Sequence, residues 1–212
     1  MIATLEERLG AILLSARPVK PAEEEIVSLL CEAIRSKTAG IAFNREAQQL
    51  QARVRLIKET YPEETWPDLS DETLLATPED WLVPWLSGIR SAQQLAALNL
   101  YPALAERLSW NQRRLLEERA PVTLEVPSGH SIPIDYVSGE IPVLAVKLQE
   151  MFGLADTPAI AGGRVQVLLH LLSPARRPVA ITRDLKAFWN TGYPQVKKEL
   201  KGRYPKHPWP DD

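Results

Sequence analysis

The spacing of apolar residues changes once along this chain, at Ala120–Pro121, and that change limits the fold to helices first and a sheet second. Before it the period is helical. "EEEIVSLLCEAIRS" places Ile26, Leu29, Leu30, Ala33 and Ile34 on one face. "NREAQQLQARVRLIKETY" repeats the pattern with Ala47, Leu50, Val54 and Ile57, behind an Asn44 placed to cap its start. In "LSDETLLATPEDWLVPWLSGI", Ser70 and Thr77 read as two caps, the second followed by Pro78 at a first helical turn. Trp81, Leu82, Trp85 and Leu86 then form an aromatic stripe that reads as core, not as a ligand box. Shorter helices follow at "SAQQLAALNL", "YPALAERL" and "WNQRRLLEER". The opening "LEERLGAILLSARPV" fits either a helix or a strand, and reads equally as the end of a longer element cut by the chain start.

After Pro121 the period falls to two. "VTLEVPSGHSIPIDYV" alternates around Pro-Ser-Gly as a hairpin does, and "IPVLAV" supplies a third strand running into a short helix, "KLQEMFG". Beyond the loop "TPAIAGGR" come "VQVLLHLL" and "RPVAIT", joined by "SPAR", and then a helix, "DLKAFWNTGYPQVKKELKG", interrupted near Gly192–Pro194. Five strands with a helix between the third and fourth is the element order of an OB-fold barrel. The expected fold class is therefore α+β. A helical region over 1–120 precedes a five-stranded OB-like barrel over 121–183, and a basic C-terminal helix and tail occupy 184–212.

Little in the sequence offers bond-making chemistry. No GxxxxGK[ST] loop occurs, and "AGGRV" precedes a strand instead of opening a helix, so it reads as a turn. "SGH" and "SGE" have no base paired with them. Asp68/Asp71 and Glu79/Asp80 lie at helix starts, where carboxylates favour the dipole. His170, inside an apolar strand, reads as a hydrogen-bonded core histidine. One cysteine, Cys31, and three dispersed histidines, 130, 170 and 207, exclude a disulfide framework and give a metal cluster no support. No catalytic residue, metal or cofactor is expected in these 212 residues. The lone cysteine and the absence of a leader point to the cytoplasm, and no apolar run reaches the roughly 18 residues of a membrane span.

Charge is distributed unevenly. Residues 173–210 carry nine Lys/Arg against two Asp/Glu, a net +7 in a chain whose formal net charge is −2. The cations of interest are Arg176 and Arg177 in the turn between the last two strands, Arg183 at the exit of the final strand, and Lys197, Lys198, Lys201, Arg203 and Lys206. They are interleaved with Tyr204 and Trp209. Lysine and arginine neutralise phosphates and aromatic faces accept bases, so this segment is a candidate site for a single-stranded RNA or DNA. Phe188, Trp189 and Tyr193 are expected to pack the last helix onto the barrel, whereas Tyr204 and Trp209 stay open between packing and stacking.

"LLSPARRPVAITRDLKAFWNTGYPQVKKELKGRYPKHPWPDD" closely resembles the C-terminal region of the HrpB family of bacterial DEAH-box-related ATP-dependent helicases. "LAVKLQEMFG", "IAGGRVQVLLHLLSP" and, upstream, "LSDETLLATPEDWLVPWLSGIRS" resemble it too. The resemblance spans essentially the whole chain but only the last quarter or so of a full-length member. It implies a parent that uses ATP and magnesium on two RecA-like domains. It assigns to these residues an accessory part, beginning inside a winged-helix and ratchet-like helical bundle. The expected task is to hold or guide a single strand beside the RecA-like domains, as a monomer without membrane attachment. The alternative is a protein-interaction scaffold whose basic end docks an acidic partner or a RecA-like domain.

Overall fold

The computed structural model describes residues 3–210. Two compact units emerge, one built from the chain up to Leu50 together with Pro67–Leu108, the other from Gln51–Trp66 together with Ser109 onward.

In the first unit the ambiguous opening is a hairpin. Strands β1 (Ala3–Leu9) and β2 (Ile12–Val19) pair antiparallel about a Gly10–Ala11 turn, with a register slip between Glu7 and Arg8. Helix α1 (Glu23–Arg35) starts with three glutamates against the positive end of its dipole, and Glu25 accepts the backbone N–H of Ala22 at 3.1 Å. Its buried side is Ile26, Leu30, Cys31 and Ile34. Leu29 is exposed, because at about 100° per residue it falls well off the arc those four define. Burial pushes the Cys31 thiol above its ordinary range.

Helix α2 (Arg45–Thr60) is capped as expected, Asn44 Oδ1 accepting from Ala47 N at 2.9 Å, and it buries Ala47, Leu50, Val54 and Ile57. Ser70 likewise caps α3 (Asp71–Ala76). Thr77 does not cap a helix. Its hydroxyl turns back to Thr73 O at 3.0 Å, and Pro78–Asp80 and Val83–Trp85 are separate 3-10 turns. Trp81, Leu82 and Leu86 are nonetheless core. Trp81 donates to Leu74 O and stacks on Phe43, while half-buried Trp85 has no acceptor for its indole N–H among the described residues. Glu79, expected to serve a helix dipole, instead pairs with Arg35, as Glu23 pairs with Arg90; each guanidinium holds its carboxyl below the usual carboxylate range. Helices α4 (Ala92–Ala96) and α5 (Tyr101–Glu106) close this unit over Leu95, Leu100 and Leu104.

In the second unit helix α6 (Trp110–Arg119) begins with a capping box between Ser109 and Gln112 and leads into the sheet. Strands β3 (Thr123–Glu125), β4 (Ser131–Asp135), β5 (Val143–Lys147), β8 (Leu168–Leu172) and β9 (Pro178–Thr182) lie side by side in that order. β5 and β8 run parallel and the other neighbours antiparallel. The crossover from β5 to β8 carries a 3-10 turn (Leu148–Met151), where the sequence suggests a short helix, and a small hairpin of β6 (Ala159–Ile160) and β7 (Val165–Gln166).

The fold is thus α+β with a five-stranded mixed sheet and a C-terminal helix. The sheet is open: no ladder joins β9 to β3 among the described residues, so the expected OB-like closure is not found. Two short strands explain this. β3 is three residues long, and β9 ends at Thr182, after which Asp184, two residues on, turns the chain into a helix. One face of the sheet buries Ile134, Leu144, Val146, Leu169 and Leu171. His170 points to the other face, half-buried, and its imidazole makes no hydrogen bond among the described residues; strand alternation puts it opposite the core.

The glycine-rich loop "AGGR" has a structural purpose. Ala161, Gly162 and Gly163 all have positive φ (52°, 62° and 85°), curling the β6–β7 turn around Tyr61 at the end of α2. Tyr61 donates its hydroxyl to Ala161 O at 2.8 Å, and a Cβ on Gly162 would stand 3.2 Å from that hydroxyl. The Tyr61 ring lies between the guanidinium groups of Arg119 and Arg164, 4.1 and 4.2 Å from its centroid. Arg119 in turn binds Glu64 at 2.7 Å, which lowers the Glu64 pKa. Tyr61→Phe, which keeps the ring and leaves Ala161 O only its 3.2 Å bond from Arg164 N, is expected to cost about 1 kcal/mol in a urea titration.

Candidate nucleic-acid interface

The C-terminal helical run starts at Asp184, whose Oδ1 accepts from Ala187 N at 2.8 Å. It passes through α7 (Leu185–Ala187), a π turn (Phe188–Gly192) and α8 (Tyr193–Lys201). The interruption suggested by Gly192–Pro194 is this π turn. Pro194 has no N–H to offer in the helical ladder, and the chain widens so that Tyr193 N bonds Phe188 O, five residues back. Glycine is required at 192, since a Cβ there would lie 2.7 Å from the Phe188 ring.

Helical geometry sorts α8 into two sides. Tyr193, Val196 and Leu200 share one side, while Lys197, Lys198 and Lys201 span an arc of about 100° on the other. Lys198 and Lys201 are exposed, as are Arg203 and Lys206 beyond the helix, and none of the four meets a carboxylate among the described residues. Lys197 is used differently. Half-buried, it donates to Pro210 O at 2.7 Å with its ammonium 5.9 Å from the Tyr193 ring centroid, tying the tail back to the helix.

The two open aromatic residues fall on the packing side. Trp209 is only 9% exposed and donates its indole N–H to Tyr204 O at 2.9 Å; Tyr204, half-buried, meets His207 edge to face. Trp209 therefore folds the tail and offers little ring face to a base. Trp189 and Tyr193 do pack the helix, against Phe152 and Leu154 in the loop after the 3-10 turn.

The sheet arginines form no single cluster with one another. Arg176 and Arg177 sit exposed in the β8–β9 turn, and Arg183 lies beyond the opposite end of β9, about 20 Å further along an extended strand. Ser173 organises the turn, its Oγ accepting from Arg177 N at 3.1 Å. Arg176 has φ 59°, a left-handed conformation that disfavours side chains. Arg176→Gly is expected to raise stability by about 0.5–1 kcal/mol in a thermal or urea melt. It should also weaken strand binding if Arg176 meets a phosphate. Lys186, exposed on α7, carries the same kind of charge and was visible in the sequence only as part of the segment's net +7.

Residues 81–212 match the family model described as ATP-dependent helicase C-terminal. The chain is 44% identical over 207 residues to the ATP-dependent RNA helicase HrpB of Escherichia coli strain K12, covering 97% of this chain and 26% of that protein. Among solved structures, it is similar to the E. coli DExH-box NTPase HrpB, with TM-score 0.85 and 43% identity over 99% of this chain. A second crystal structure, of the E. coli DEAH/RHA helicase HrpB, gives TM-score 0.76 and 40% identity over 97% of it. In each case the chain spans about a quarter of the relative's length.

Proposed function

The chain belongs to the HrpB family of ATP-dependent helicases, whose C-terminal region it matches, and on that premise we propose that it is a non-catalytic accessory module that holds single-stranded RNA or DNA. The RecA-like domains of the longer protein would supply the motor. The observation that carries this reading is the row of exposed cations on α8 and the tail, Lys198, Lys201, Arg203 and Lys206, none of which pairs with a carboxylate among the described residues. A row of lysines left unpaired in solution suits a polyanion that releases counterions on binding. Arg176, Arg177 and Arg183 would contact the backbone at other points along the strand, and Lys197 would act by fixing the tail. Half-buried Tyr204 remains a stacking candidate; Trp209 donates to its backbone carbonyl and so fixes that stretch of the tail.

The glycine-rich loop of this chain does not fit a nucleotide phosphate. The glycine-rich loop 161–164 is committed to Tyr61 and Arg119, and no group of three His, Cys, Asp or Glu is placed to hold a metal among the described residues. The ATP and magnesium that the resemblance implies for the longer protein are expected to act on its RecA-like domains.

Fluorescence anisotropy with labelled single-stranded RNA and DNA, repeated across salt concentrations, tests the proposal. Weak binding with a steep salt dependence is expected. If the chain ignores both strands yet associates with isolated RecA-like domains, the docking reading takes its place.

A further inference from the structure

Three rings of the second unit meet in a triangle. The centroids of Phe152 and Trp189 are 5.8 Å apart, those of Phe152 and Tyr193 5.7 Å, and those of Trp189 and Tyr193 5.3 Å. Together with Pro194 and Pro210 they wall an open cleft of about 620 Å³. The polar atoms of the rings are already spent: Trp189 Nε1 donates to Leu154 O at 2.7 Å, and the Tyr193 hydroxyl donates to Pro210 O at 2.9 Å. Tyr193 is only 7% exposed, so the ring surface the cleft presents comes from half-buried Phe152 and Trp189, with Tyr193 behind them. Asn190 is the exception, an exposed lining side chain whose amide has no partner among the described residues. The π turn makes this arrangement, because widening the helix between Phe188 and Gly192 sets Trp189, Asn190 and Tyr193 along one wall.

An open cleft walled by tilted aromatic rings, with one free amide in its lining, suits a flat heterocycle that carries donors and acceptors on its edge. The surroundings select among such ligands. Lys197 stands beside Tyr193, exposed Lys186 lies one turn before Trp189, and exposed Lys198 follows on α8. We infer that this cleft receives a nucleobase of a bound single strand, stacked against the aromatic wall with its edge read by Asn190. The inference rests on the strand-binding reading above and adds where the bases go: to Phe152, Trp189 and Asn190, with buried Tyr193 backing the rings, and not to Trp209. A proline-rich peptide would also suit a slot of aromatic rings and prolines, but nothing in such a peptide calls for the positive border. Charge complementarity favours the polyanion.

The test uses the whole chain and an oligonucleotide carrying 2-aminopurine, whose fluorescence is quenched on stacking. The expected results are quenching on binding and a loss of affinity of roughly tenfold for Trp189→Leu, with the quench abolished and the salt slope unchanged. Trp189→Phe, which keeps a ring, should recover most of the quench. Asn190→Ala lies on the surface and does not threaten folding. It should weaken binding of the base-bearing oligonucleotide and not of an abasic one. Circular dichroism of each variant checks that the helix persists. Equal quench and affinity in the parent, Trp189→Leu and Asn190→Ala would overturn the cleft while leaving strand binding intact, provided the salt slope remains. Absence of any binding by the parent chain at low salt would remove both readings. Saturable binding of a polyproline peptide that is lost in Trp189→Leu, with oligonucleotide binding unaffected, would reassign the cleft to a peptide and overturn the inference.

Discussion

Arg53→Met is expected to cost about 3 kcal/mol in urea unfolding, more than any other single change to a charged residue considered for this protein. Arg53 sits inside the second unit at 3% exposure, which is rare for a charged group. Its Nε donates to Ala120 O at 2.6 Å, and one terminal nitrogen reaches both Leu116 O and Glu117 Oε1, at 3.4 and 2.6 Å. The guanidinium thus closes the C-terminal end of α6, where unsatisfied carbonyls and the negative end of the dipole meet. Leu116 O has a second donor in Ala120 N, but Ala120 O, on a residue with no exposed surface, would be left unpaired. Methionine fills similar volume and repairs none of this. Glu117, 61% exposed, is the weaker half of the pair, and Glu117→Ala should cost under about 1 kcal/mol. Equal losses for the two variants would show that the ion pair, not the capped carbonyl, carries the stability.

Charge reversal at Lys198, Lys201 and Arg203 should nearly eliminate strand binding at moderate salt while leaving the urea midpoint almost unmoved. All three are exposed and lack carboxylate partners among the described residues, so the fold loses little. Each cation that truly meets a phosphate contributes about −0.7 to the slope of log K against log salt for single strands, so the slope should become shallower by about 2. The loss should fall on all sequences alike, because phosphates carry no base identity. Lys197→Glu is a different experiment: it unties Pro210 and disturbs the tail as well as the charge. A triple variant that binds like the parent would move the interface away from α8.

Tyr136 shows what spacing does and does not reveal. Its alternation with Ile132 and Ile134 suggests a strand position; it is buried, but in the bend just past the end of β4 at Asp135. Its hydroxyl donates to Pro121 O at 2.7 Å, and burial raises its pKa far above the ordinary tyrosine range. The junction where the apolar period changes, Ala120–Pro121, is consequently pinned from two sides, by Arg53 and by Tyr136. Nothing local marks those partners, which lie 67 and 15 residues away along the chain. The same holds for "AGGR", legible as a turn but not as the clasp on Tyr61, 100 residues earlier.

Local physics in the sequence by itself determined the helices α1 and α2 with their buried faces, the Asn44 and Ser70 caps, the strand–turn–strand of β3 and β4, and the concentration of positive charge near the C-terminus. Each follows from periodicity, capping chemistry or composition within about a dozen neighbouring residues. Tertiary structure alone decided that the strands form an open mixed sheet, since closure depends on whether β9 can reach β3. It also decided that Trp209 is packing and not a platform, and that the aromatic wall at Phe152, Trp189 and Tyr193 opens onto a cleft. Those outcomes depend on which distant surfaces meet, because burial and hydrogen-bond satisfaction are settled between residues far apart in the chain, where spacing carries no signal.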